Sequence, residues 1–253
     1  MSGSITLENR FGVNKMELIS LKYAIFVIVL LVLYYCFPKK YRWYVLLAGS
    51  MAYYVIICKW YVLFIIFTIC TTYGSTIWID KLLKKQNAIV KSHKEDWDRQ
   101  TRKDYKEKGR KKRVAVMLFA LLCNFGILAF LKYIPYAGEL GLLLPLGISF
   151  YTFQSMGYVM DVYREIVEPE KNFLKVALFV SFFPQIIQGP IAIYDKLAGQ
   201  LYEGHSLRLE NLQKGALLVL WGVMKKLVIA DRAVNIINFV MDKPMDFSGT
   251  YVF

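Results

Sequence analysis

Three stretches of this chain, Trp60–Ile79, Leu140–Met160 and Val176–Tyr194, contain no Asp, Glu, Lys or Arg. Each is close to the roughly 20 residues an α-helix needs to cross the hydrocarbon of a bilayer. A soluble domain of this size breaks its apolar segments with charges every few residues to keep an outer face wet, and these runs offer no such face. The whole chain is 57% hydrophobic and 16% aromatic, against roughly 45–50% apolar content in soluble domains. The sequence therefore predicts an all-α fold, a polytopic transmembrane helix bundle with some re-entrant segments, in which residues 1–253 are a portion of a single transmembrane domain.

A formal net charge of +13 raises the question of nucleic acid, because basic patches neutralise phosphates. The distribution of the charge argues against that partner. Fourteen of the 32 Lys and Arg lie between Lys81 and Arg113, and most others flank apolar runs. This is the pattern of cytoplasmic loops facing anionic lipid, so the predicted partner is the lipid bilayer and not nucleic acid.

Along the chain, the polar opening MSGSITLENRFGVNK lacks the features of a cleavable signal, and Leu18–Phe37 reads as a first, uncleaved helix stopped by PKKYR. Trp43–Cys58 and Trp60–Ile79 follow as a hairpin reversed at Lys59. Asp80–Arg113 reads as a basic cytoplasmic loop, either a solvated helix along the membrane surface or a flexible connection. Val114–Leu131 is a fourth run, and KYIPYAGELG makes a loop before Leu140–Met160. Val176–Tyr194 is interrupted by Pro184 and by Gly189-Pro190. Leu212–Ala230 completes a count of about seven hydrophobic segments. Alternating these runs places 23 Lys and Arg on one side and eight on the other. The positive-inside rule then puts the amino terminus outside the cytoplasm of a multi-pass cell-membrane protein.

The informative residues are polar ones at membrane depth. In LPLGISFYTFQSMGYVMDVYRE, the residues Tyr151, Gln154, Tyr158 and Asp161 fall at i, i+3, i+7 and i+10, along one helical face. Lipid cannot satisfy their hydrogen bonds, so the stripe is expected to face other helices as interhelical glue or to line a substrate cavity. In SFFPQIIQGPI, Pro184 removes a helical hydrogen bond and Gly189-Pro190 ends the helix, leaving free carbonyls near Gln185 and Gln188. Such backbone is tolerated at depth only inside protein or beside a cavity. The segment reads as a re-entrant or funnel-lining element, with a simple packing kink as the alternative.

No catalytic residue stands out. His93 lies in the basic segment and His205 in a polar one, and no glycine-rich phosphate loop, HExxH helix or GxSxG elbow is present. Cys36, Cys58, Cys70 and Cys123 sit in or beside apolar runs without CxxC or Cys/His grouping, which reads as helix packing rather than a metal site or disulfides.

At these residues the sequence resembles the membrane-bound O-acyltransferase family, in the bacterial branch of alginate O-acetyltransferases and the teichoic-acid D-alanyl transfer protein. The segments that carry the resemblance occur in order: YYCFPKKYRWYVLLAGSMAYY, LKYIPYAG, LPLGISFYTFQSMGYVMDVYRE, EKNFLKVALFVSFFPQIIQGPI and LWGVMKKLVIADR. The resemblance implies an N-terminal portion of a helical bundle around a membrane-crossing funnel, whose catalytic histidine belongs to a later region. The closing MDFSGTYVF carries DFSG, but too soon after VIADR to match the family's order. By the same resemblance the acyl donor is an acyl-CoA or acyl carrier protein, and the acceptor is a hydroxyl of a polysaccharide or teichoic-acid-like polymer. The missing C-terminal portion is a further partner. Tyr151, Gln154, Tyr158, Asp161, Pro184, Gln185, Gln188, Gly189 and Pro190 become expected funnel-lining residues. A non-catalytic membrane module or a polymer or lipid transporter component is the alternative expectation.

Overall fold

The computed structural model describes residues 21–93, 96–133, 145–234 and 237, and every regular element among them is helical. The polar leader, the loop around Pro135, the first residues of the Leu140–Met160 run and most of the closing segment with its DFSG lie outside the described residues.

Helix α1 (Leu21–Cys36) is apolar apart from Lys22 at its start. Leu30 is buried against α2 (Arg42–Cys58), where Gly49 has no side chain to displace it, while Ile25, Ile28, Val29 and Val32 stay exposed. Exposed apolar residues recur on α2 (Val55, Ile56), on α3 (Leu63, Ile66, Phe67) and on α4 (Leu118, Phe119, Leu122). Patches of this extent are a liability in water and the expected surface in lipid. Two helical stretches, Lys39–Ser92 and Arg99–Tyr133, are long and apolar enough to cross a membrane, and the chain is an all-α membrane helix bundle.

The chain changes course at Lys59, whose φ of 47° lies in the left-handed region, and continues through a 3-10 turn, Lys59–Tyr61. These two runs, expected as a hairpin, share little packing with each other. Helix α2 touches α3 (Val62–Ser92) at few residues and packs mainly on α1 and α6 (Phe173–Ser181), whereas α3 packs on α4 (Arg99–Tyr133) and α5 (Ile148–Tyr163). The reason lies in the face α3 presents. Thr68, Thr72, Ser75 and Thr76 are buried, and Thr72 and Thr76 turn their hydroxyls onto the carbonyls one turn back, at 2.6 and 2.9 Å. Small side chains with satisfied hydroxyls let neighbouring helices approach closely. Across this contact Asn124 donates to Thr71 Oγ1 and to the Ala120 carbonyl, both at 2.9 Å.

Of the two forms open to the Asp80–Arg113 segment, a solvated helix or a flexible connection, most of it takes the helical one. At 1.5 Å per residue, the 31-residue α3 is roughly 46 Å long and the 35-residue α4 roughly 52 Å. Both exceed the roughly 30 Å of hydrocarbon, and the surplus is the polar stretch. It stays helical because Lys84 pairs with Asp80 at 2.6 Å and Lys111 with Glu107 at 3.3 Å one turn apart. The two ends are also tied to each other by Gln86 Nε2 donating to the Lys106 carbonyl at 3.0 Å. The Trp97 ring lies between those of His93 and Tyr105, at centroid distances of 4.9 and 5.1 Å.

The Val176–Tyr194 run is broken, as its prolines and glycine predict. It forms α6, then α7 (Phe183–Gln188), then an extended stretch leading to α8 (Tyr194–Tyr202). Residues Val176 to Ser181 of α6 are all buried, so the last six residues of this short helix have protein on every side, while Phe173 and Leu174 at its start are exposed. The described residues up to Gly204 form one compact unit and those from His205 a second. In the second unit α9 (Leu209–Met224) passes into a π-helical turn, Lys225–Ala230, with Lys225 over the Trp221 ring at 5.2 Å.

Candidate functional site

The break between α6 and α7 falls at Phe182, whose ψ of 106° leaves the helical region. Pro184 dictates this position. It has no N–H to give the Val180 carbonyl, and its ring disfavours helical backbone just before it. In an unbroken helix the Phe183 N–H would bond the Phe179 carbonyl. Here both groups find other partners. Gln154 Nε2 on α5 donates to the Phe179 carbonyl at 2.8 Å, and the Phe183 N–H donates to Ser50 Oγ on α2 at 3.4 Å. The Phe183 ring then packs among Phe26, Tyr53 and Tyr23, at 5.3, 5.5 and 6.1 Å.

The carbonyl of Gln185, expected to be free, is not. It accepts the Gly189 N–H at 3.0 Å, because Gly189 turns extended (φ −75°, ψ 160°) just as α7 ends. Pro190 follows in the extended stretch, exposed, and Gln188 is the last residue of α7. Gln185 itself is half-buried, and its Oε1 has no hydrogen-bond partner among the described residues. The start of α5 is pressed against α7. Gly147, with φ +69°, sits where a Cβ would overlap the Ile186 carbonyl.

Of the α5 stripe, Tyr151, Gln154 and Tyr158 are buried, at 1%, 3% and 1% exposure, and face the protein interior. Tyr151 meets Tyr54 edge-on at 6.3 Å. Tyr158 stacks on Tyr194 at 4.1 Å and accepts the Glu170 N–H at 2.8 Å. Asp161 is different: it is half-buried near the C-terminal end of α5, where its carbonyl accepts the Ile166 N–H at 3.0 Å. Two of the four stripe residues thus hold neighbouring backbone in place, Gln154 at the helix break and Tyr158 at the connection into α6.

Several residues of this region carry no obvious sequence signal. Ser50 is one small polar residue in an apolar helix. Ser155 lies on the buried face of α5, and Ser155 Oγ and Ser181 Oγ are buried without a hydrogen-bond partner among the described residues. Tyr202 donates to the Lys175 carbonyl at 2.8 Å, and the Lys175 ammonium lies 4.9 Å from its ring centre and 3.7 Å from Glu170. Burial pushes the Tyr202 phenol well above its ordinary range, so it remains a donor. Arg113, 9% exposed, donates to Glu165 at 2.8 Å, and Glu165 has φ 63° in the turn that ends α5, where the Ile166 N–H bonds the Asp161 carbonyl.

These groups are hydrogen-bond donors, acceptors and aromatic faces, most of them buried. A general base with near-neutral pKa is not among them. His93 caps the C-terminal end of α3, exposed, and His205 is exposed in the second unit. The four cysteines are free thiols.

Comparison with known proteins relates this chain to bacterial O-acetylating proteins. A peptidoglycan O-acetyltransferase of Helicobacter pylori is 31% identical over 170 residues, which cover 52% of this chain and 32% of that protein. A protein of Pseudomonas syringae pv. tomato named "Probable alginate O-acetylase" is 40% identical over 89 residues, 35% of this chain and 17% of its own. Its namesake in Pseudomonas aeruginosa is 38% identical over 90 residues, 36% and 17% of the two chains. The matched part thus spans about a third of the first relative and under a fifth of the other two. No family model and no solved structure matches the chain.

Proposed function

We propose that this chain, a homologue of bacterial proteins that O-acetylate polysaccharides, supplies the N-terminal helices of a membrane-bound O-acyltransferase that moves an acetyl group to a polysaccharide hydroxyl. The observation that carries the reading is the 31–40% identity to peptidoglycan and alginate O-acetylating proteins. The geometry supports it in one respect. Gln154 of GISFYTFQ donates to the Phe179 carbonyl, one turn before FPQIIQGPI, and Gly147 of the first motif lies against Ile186 of the second, so the two motifs pack together. Their part in the reaction is a wall: phenols, amides and hydroxyls that orient an acyl donor or a sugar chain.

Acetyl transfer from a thioester donor needs a base that takes the hydroxyl proton as the oxygen attacks the acyl carbon. In this reading the base is a histidine of the missing C-terminal portion, and the donor is an acyl-CoA or an acyl carrier protein. The amino terminus lies outside the cytoplasm, and the polar ends of α3 and α4 lie inside it.

The test is the O-acetyl content of exported and cell-wall polysaccharides, read as acetate released by mild base, in the parent strain and a strain lacking this gene. A fall restored by the intact locus supports the reading. Unchanged acetate in every polymer fraction overturns it.

A further inference from the structure

The polar ends of α3 and α4 enclose, with the turn after α5, a pocket of about 490 Å³ lined by Gln86, Lys103, Lys106, Arg110 and Arg113, within the size range of small-ligand sites. Its two carboxylates are already engaged. Glu107 pairs with Lys111 at 3.3 Å and Glu165 with Arg113 at 2.8 Å. Lys103, Lys106 and Arg110 form no ion pair among the described residues. A concave site with three unneutralised cations focuses a positive potential and favours an anion. One wall is fixed by the bond from Gln86 to the Lys106 carbonyl, which the absence of a side chain at Gly109 permits.

Position along the helix narrows the ligand. Arg113 immediately precedes the apolar run that begins at Val114, and Arg110 lies one turn, about 4.5 Å, further out. The headgroup layer is about 5–7 Å deep on each side of the hydrocarbon, so both guanidinium groups stand at its level, and the planar guanidinium fork matches a phosphate. Lys106 and Lys103 continue about 10–15 Å into the aqueous side. We propose that this pocket binds a phosphate ester, and that its source is the headgroup of an anionic phospholipid. The site is separate from the α5–α7 region and does not rest on the acetyl-transfer reading.

The test is binding of short-chain phosphatidylglycerol, short-chain phosphatidylcholine and glycerol 3-phosphate to the full chain in non-ionic detergent below the lipids' critical micelle concentrations. The expected result is saturable phosphatidylglycerol binding at least tenfold tighter than either comparison ligand. Lys106→Gln with Arg110→Gln should weaken it at least tenfold without lowering the melting temperature, since both residues are exposed and unpaired. Lys108→Gln with Lys112→Gln, which removes equal charge outside the pocket, should leave it within twofold. Equal binding of the two lipids, or equal loss from both double variants, overturns the pocket. Glycerol 3-phosphate binding as tightly as phosphatidylglycerol overturns the lipid source and assigns the site to a soluble phosphate ester.

Discussion

The side-chain amide of Gln154 donates to the carbonyl of Phe179 at 2.8 Å, occupying the place that the Phe183 N–H would hold if α6 and α7 were one helix. The broken helix is therefore stitched from outside, by α5 at its carbonyl and by Ser50 of α2 at its amide. Gln154→Leu removes the donor and leaves a buried carbonyl unsatisfied, at a cost of about 1–3 kcal/mol. Ser50→Ala severs a longer bond and is expected to cost under about 1 kcal/mol. Thermal unfolding in detergent checks the order, and equal losses would contradict it.

The membrane-helix class and the break in the sixth run were legible in the sequence because both follow from gross rules: charge-free length and proline geometry. The interior orientation of Gln154 and Tyr158 was legible too, from helical spacing together with the cost of leaving their hydrogen bonds unmade in lipid. Ser50 and Asn124 were not, since one small polar residue in an apolar helix says nothing about which neighbour it meets. At the polar ends of α3 and α4 the charge density indicates solvation, which a surface helix and a flexible connection satisfy equally, so the sequence leaves both open. The helical form is supported by the local Asp80–Lys84 and Glu107–Lys111 pairs and by the Gln86–Lys106 tie between segments distant in sequence. The short connection between α2 and α3 fixes adjacency in the chain and not which faces pack.

Gly147 starts α5 with φ +69° directly against the Ile186 carbonyl. Gly147→Ala is expected to destabilise the chain by more than about 2 kcal/mol, since the left-handed backbone alone costs roughly 1–2 kcal/mol for a residue with a Cβ and the overlap adds to it. A melting temperature within a degree of the parent's would contradict the close approach of α5 and α7.

Glu165 holds the buried Arg113 from a left-handed backbone, φ 63°. Glu165→Ala and Glu165→Gly both remove the carboxylate, but only glycine adopts that φ without cost. The glycine variant is expected to be more stable than the alanine variant by about 1–2 kcal/mol. The reverse order in chemical or thermal unfolding would show that Glu165 is not constrained as described.

The basic ends of α3 and α4 are expected in the cytoplasm, because translocating them opposes both the positive-inside bias and the membrane potential. In a variant lacking the four native cysteines, Gln100→Cys should resist an impermeant maleimide in intact cells and react after lysis, while a cysteine at residue 138 should react in both. Labelling at 100 but not at 138 in intact cells would reverse the topology.

The most direct measurement is acetyl incorporation into exported polysaccharide in a deletion strain carrying this chain, the C-terminal portion of the enzyme, or both. General-base catalysis requires a group of near-neutral pKa within hydrogen-bond reach of the acceptor hydroxyl, and both His93 and His205 are exposed. The expected result is no incorporation from this chain alone and restored incorporation from the pair, unchanged when His93→Ala and His205→Ala are combined. Incorporation from this chain alone, or its loss from the pair on replacing those two histidines, would contradict the assignment of this chain to the wall and of the base to its partner.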